Sequence, residues 1–127
     1  MQHLDPEQLA AMSPQEQYLY FVHTVAETGE IWGLYDEDLI GWFLTRDADD
    51  RELLPVWPTV QYAEACRKGA WLNGSPLPMS VATFVRETLD ELIDMTRGLS
   101  VFYLEEEGGL DIAPQQLRKD LLTLTEG

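Results

Sequence analysis

Three β-favouring runs follow one another between Gly29 and Pro58, at Ile31–Tyr35, Leu39–Thr45 and Leu53–Trp57, with only acidic turns between them. This succession restricts the fold more than any other feature. Isoleucine, tyrosine, tryptophan and threonine fit a pleated, half-buried surface, whereas Asp36-Glu37-Asp38 and the loop Arg46–Glu52 break it. The first two runs read as a hairpin across residues 36–38. Pro58 ends the third, because proline cannot donate to a ladder.

Helices flank this block. Ser13, Pro14 and Glu16 supply a cap, a proline at the first helical position and the acidic partner of a capping box. Tyr18, Phe21, Val22, Val25 and Ala26 recur at helical spacing, and Gly29 offers a left-handed stop after Thr28. Thr59 stands where it can cap a short helix to Lys68, with Gly69 as its stop. The stretch Asn73–Pro78, rich in glycine, proline and serine, reads as a loop. Ser80 opens a helix whose apolar stripe is Val81, Phe84, Val85, Leu89, Leu92 and Ile93, with Arg86, Glu87, Asp90, Glu91 and Asp94 toward water and Gly98 as its end.

Leu99–Leu104 reads as a strand, Glu105–Gly109 as a turn around Gly108-Gly109, and Leu110–Ile112 as the strand that pairs back. Pro114 begins a last helix with Leu117, Leu121 and Leu124 on its apolar face. Strand, helix and strand do not alternate regularly along the chain. The order predicts an α+β single domain over 1–127, mainly an antiparallel sheet of about five strands with about four helices packed on it, and residues 1–12 as a flexible N-terminus.

Composition agrees with an ordinary folded domain: 127 residues, 45% hydrophobic and 24% charged. No apolar run reaches the roughly 18 residues that span a bilayer, and the N-terminus lacks the basic and apolar segments of a signal peptide. One cysteine, Cys66, cannot close an internal disulfide, which fits a reducing compartment, so a cytoplasmic location is expected. Charge is the least ordinary property: 8 Lys and Arg face 23 Asp and Glu, a net −15. The first permanent positive charge is Arg46. Nucleic acid and anionic membrane are therefore disfavoured partners, whereas a basic protein partner suits the field. No pattern in the chain encodes its oligomeric state.

Chemistry-bearing patterns are sparse. Cys66 and His23 are the one conventional nucleophile and base, but Cys66 shares a helix face with Tyr62 and Ala63, the setting of a packed thiol, and His23 lies at the flank of a helix stripe. Asp47, Asp49, Asp50 and Glu52 are oxygen-rich, yet a calcium loop of EF-hand type needs a ligand at Arg51 and a glycine at Glu52. Two histidines and one cysteine cannot complete a zinc site on soft ligands. No glycine-rich phosphate motif occurs. No catalytic residue, no metal site and no cofactor is assigned. The aromatic residues are what remains: Trp32, Tyr35, Trp42, Trp57, Tyr62 and Trp71 form the candidate binding set, as core anchors or as the walls of a pocket.

The order Ile31-Trp32-Gly33-Leu34-Tyr35, Gly41-Trp42, Pro55-Val56-Trp57-Pro58, Tyr62-Ala63, Cys66 and Trp71, followed by a helix containing Phe84, resembles the small bacterial proteins grouped as domain of unknown function family 2750. The resemblance includes a leading helix like Ser13–Thr28 and a closing segment like Ile112–Leu122. It implies a stand-alone cytosolic single-domain protein and carries over no reaction and no catalytic residue. The acidic loops Asp47–Glu52 and Glu105–Glu107 fall outside its pattern.

From the sequence, the expected function is a non-enzymatic protein-interaction or regulatory domain. One alternative is a small-molecule-binding protein or small enzyme with an aromatic-lined pocket. Another is an immunity-like inhibitor of a basic toxin.

Overall fold

A computed structural model of the chain describes residues 5–38, 40–104 and 108–126. Helices α1 (Pro6–Ala11) and α2 (Pro14–Thr28) lead into strands β1 (Glu30–Asp36), β2 (Gly41–Trp42), β3 (Thr45–Arg46) and β4 (Glu52–Val56). Then come α3 (Val60–Ala65), a 3-10 turn at Gly69–Trp71 and β5 (Ser75–Ser80). Helix α4 (Val81–Thr83) joins α5 (Leu89–Asp94) through a π turn at Phe84–Thr88, and β6 (Gly98–Leu104), β7 (Gly108–Ile112) and α6 (Pro114–Glu126) complete the chain. The architecture is α+β, as expected. Its strands, however, form two sheets in place of one, in the orders β2-β1-β5 and β3-β4-β6-β7.

The second hairpin run is where the sheets divide. Gly41 and Trp42 pair back onto β1, with Tyr35 opposite Trp42, while Thr45 and Arg46 pair onto β4, with Thr45 opposite Leu53. The expected strand Leu39–Thr45 is thus two short strands in different sheets, and Leu39 lies outside the described residues. Trp32 and Trp57 rejoin the sheets by exchanging backbone hydrogen bonds of 2.9 and 2.8 Å. Pairing is antiparallel except between β4 and β6. Strand β4 carries Pro55, which is tolerated because β3 reaches only Glu52 and Leu53, so that flank of Pro55 has no ladder neighbour.

The expected loop Asn73–Pro78 is mostly strand. β5 pairs with β1 from Glu30 opposite Ser80 to Tyr35 opposite Ser75. It is an edge strand, so Pro76 and Pro78, two residues apart, point their missing N–H positions away from the ladder. At the N-terminus, the segment read as flexible contains α1, capped reciprocally by Asp5 and Gln8, and its Leu9 is 1% exposed. Gln17 on α2 donates to the Leu9 carbonyl at 2.7 Å and holds the two helices together.

Helix α2 starts and stops where the sequence predicts, with a Ser13–Glu16 capping box and Gly29 at φ 77°. The hydrogen bonds from Ser13 hold the Glu16 carboxyl below its ordinary value. The stripe of the Ser80 helix also holds, but its spacing steps by five from Phe84 to Leu89. An α-helix would rotate that step off the face; here the N–H of Leu89 donates to the carbonyl of Phe84, and the π turn returns both side chains to the core. The helix ends before Gly98. Thr96 takes the left-handed position at φ 57°, its N–H donates to Ile93 and that of Arg97 to Leu92, which is a Schellman stop built on threonine.

Two smaller expectations change. Thr59 precedes α3, but its side chain does not cap, and α3 ends at Ala65, short of Lys68. Leu124 on α6 is partly exposed, whereas Leu117 and Leu121 are fully buried. Residues 105–107 of the expected β6–β7 turn lie outside the described residues. The core draws Phe21, Ile31, Trp57, Phe84, Phe102 and Leu121 from helices and both sheets. No described helix is long and apolar enough to cross a membrane.

Candidate functional site

The six aromatic candidates separate into two places. Trp57 is 0% exposed and Tyr62 is 6% exposed, so both belong to the core. Trp71 meets Trp57 edge-on at 6.2 Å between ring centres and leans on Tyr103 at 4.9 Å. Tyr62 packs edge-on against Phe102 at 4.8 Å, and Tyr20 lies against both. Trp32 is half-buried on β1, opposite Pro78 of β5. Tyr35 and Trp42 form a separate edge-on pair at 5.3 Å on the β1–β2 hairpin.

A distortion in β6 organises the first group. Phe102 has φ 59°, rare for a bulky residue, at the bulge between Val101 and Leu104. The Tyr103 carbonyl accepts a hydrogen bond from the Trp57 indole at 2.7 Å and one from the Cys66 thiol at 3.3 Å. Cys66 is buried and occupied with structure, while His23 is exposed on α2. The chain does not present these two as a nucleophile and base in one open site.

The acidic loop is a turn held by its own carboxylate. Asp47 accepts backbone N–H groups from Asp49 and Arg51, both at 2.9 Å, and its other oxygen pairs with the Arg51 guanidinium at 3.5 Å. Among the described residues, no cluster of three or more His, Cys, Asp or Glu side chains is arranged to hold a metal ion.

The concave feature that the hairpin helps to form lies elsewhere. A groove of about 460 Å³ opens between the β1–β2 turn and the end of α5. Ile40, Trp42, Leu44, Leu92 and Met95 give it apolar walls, and Thr88, Glu91 and Arg97 add polar groups. At its lip Ile40 is 79% and Met95 59% exposed. The ring of Trp42 reaches the groove by lying across Gly33, where a Cβ would come within 2.9 Å of it. That close approach explains why glycine follows Trp32. Arg97 is anchored by Glu52, with Nε and a terminal nitrogen each 3.1 Å from the same carboxylate oxygen, and another nitrogen contacts the Met95 sulfur at 3.0 Å.

Three backbone irregularities border this groove. Ile40 has φ 53°, Thr96 between Met95 and Arg97 has φ 57°, and Thr88 closes the π turn. Left-handed β-branched residues cost roughly 1–2 kcal/mol each, and such strain gathers where structure serves recognition or catalysis. Of the expected site residues, only Trp42 lines the groove. Ile40, Leu44, Met95 and Arg97 were not among the expected residues, because only the meeting of the hairpin with the end of α5 brings them together.

A sheet-and-helix scaffold with a buried thiol and an open groove of mixed polarity defines a class by shape alone. The chain belongs to the family of proteins of unknown function DUF2750, whose model matches residues 18–121. No curated protein and no solved structure matches it.

Proposed function

We propose that the chain is a non-enzymatic interaction domain that acts by engaging a basic protein partner. The observation that carries this reading is how its charges are arranged. Arg46, Arg51, Arg67, Arg97 and Arg118 are each ion-paired with carboxylates of the chain, in a molecule of net −15. Exposed carboxylates such as Glu87, Glu91 and Asp94 are left to set the outer field. A field of one sign raises encounter rates with an opposite charge and weakens with salt.

The test is capture of partners on the immobilised chain, followed by affinity measurement across ionic strength. The reading expects a basic partner whose association slows and whose affinity falls as salt rises. A captured partner that is acidic, or affinity indifferent to salt, contradicts it.

The groove volume of about 460 Å³ favours a second reading, a small-molecule-binding protein, because ligand sites occupy roughly 300–1,000 Å³. A metabolite thermal-shift screen separates the two. A true ligand at about a hundredfold excess over Kd adds about 2.7 kcal/mol of stability. A broad library with no hit removes this reading.

A further inference from the structure

The groove combines features that together specify an occupant. Its walls set Ile40, Trp42, Leu44, Leu92 and Met95 beside the polar Thr88, Glu91 and Arg97, and its lip, at Ile40 and Met95, is exposed. A carboxylate, Glu91 on α5, lines it, and the exposed Glu37 and Asp38 precede Ile40 by three and two residues in the chain. Among the described residues its lining cation is Arg97, which is turned toward Glu52. An anionic ligand is disfavoured beside Glu91 in a molecule of net −15, and a flat surface would not enter a concave groove. Apolar side chains with basic neighbours, presented on one short segment, satisfy both conditions.

We propose that this groove receives apolar side chains presented on a basic segment of a partner protein, with flanking lysine or arginine meeting Glu91 and the acidic turn before Ile40. This rests on the interaction reading above and places it on one surface. Ile40 and Met95, exposed at the lip, are the first apolar contacts such a segment meets. The anchor supplies affinity by leaving water, and the flanking charges supply orientation and encounter rate.

Three labelled peptides of equal length test the idea with the intact chain: one alternating leucine with lysine, one of lysine with serine, and one of leucine with glutamate. The leucine–lysine peptide binds most tightly. Met95→Ser weakens it about tenfold, the loss typical of an anchor contact. Glu91→Gln weakens it and flattens its salt dependence, whereas Glu7→Gln on α1 leaves it unchanged. Circular dichroism confirms that each variant is folded. Equal affinity for both lysine peptides, with no effect of Met95→Ser, overturns the groove assignment while the basic-partner reading stands. Binding of neither lysine peptide at low salt overturns both.

Discussion

The indole N–H of Trp57 donates to the carbonyl oxygen of Tyr103 at 2.7 Å, across a separation of 46 residues. This contact ties the end of β4 to the bulge of β6, and Cys66 shares the acceptor. Trp57→Phe keeps a ring in the core but leaves the carbonyl with only the weak thiol donor. A buried acceptor that loses its partner costs about 1–3 kcal/mol, so the denaturant midpoint should fall accordingly with little change in slope.

The same contact makes a statement about Cys66. Its thiol is buried and donating, so a thiol reagent should label the native chain slowly and the denatured chain at once. Cys66→Ser keeps a donor at the Tyr103 carbonyl and should fold with a similar midpoint. Rapid labelling under native conditions would show the thiol to be presented at the surface.

Thr96 closes the α5 helix in a conformation that suits glycine. Thr96→Gly relieves a penalty of roughly 1–2 kcal/mol and adds unfolded-state entropy of about half that size, so stability should rise by up to about 1 kcal/mol. Thermal unfolding checks it. If the strain shapes the groove, the stabilised variant should also bind the leucine–lysine peptide less tightly.

Gly33→Ala places a methyl carbon against the Trp42 ring, 2.9 Å from Cε3. Overpacking of this kind costs about 1–3 kcal/mol, and here it should also push the ring toward the groove. Tryptophan emission should shift together with the loss of stability. An unchanged spectrum would mean that the ring does not lie over β1.

The Tyr18 hydroxyl donates to Asp120 at 2.5 Å and links α2 to α6. Burial, and then the Asp120 carboxylate, raise the phenol above its ordinary value of 10.0. A raised folded value means the protonated form is favoured by folding. The contribution is therefore complete below about pH 10, where the unfolded phenol titrates, and is lost as pH rises through the folded value. Tyr18→Phe should be less sensitive to alkaline pH than the parent chain, as followed by circular dichroism.

Local rules read the helices well because their signals are local. The Ser13–Glu16 box, Gly29 and the stripe from Val81 to Ile93 needed no knowledge of the rest of the chain. The strands were harder. β5 was hidden by Pro76 and Pro78, residues that argue against a central strand but are harmless on an edge. The division of Leu39–Thr45 between two sheets depends on what lies beside each half, which no run of β-favouring residues states. Thr96 replaced Gly98 as the helix stop because hydrogen bonds to Leu92 and Ile93 hold a costly backbone in place.

The candidate site was legible only at Trp42. Aromatic content pointed to Trp57, Tyr62 and Trp71, but large rings serve a small core as readily as a pocket, and sequence alone does not distinguish the two uses. The groove arises where a hairpin turn meets a helix end more than fifty residues later, as Ile40 and Met95 do. The net charge of −15, by contrast, was visible from the first count of acidic residues.

Amide hydrogen exchange of the intact chain, with and without the leucine–lysine peptide, shows where a basic apolar segment docks. The account predicts protection concentrated at the turn around Ile40 and Trp42 and at the α5 end from Glu91 to Arg97, diminishing as salt rises. Protection confined to α1, α6 or β7, with the groove unaffected, would contradict it.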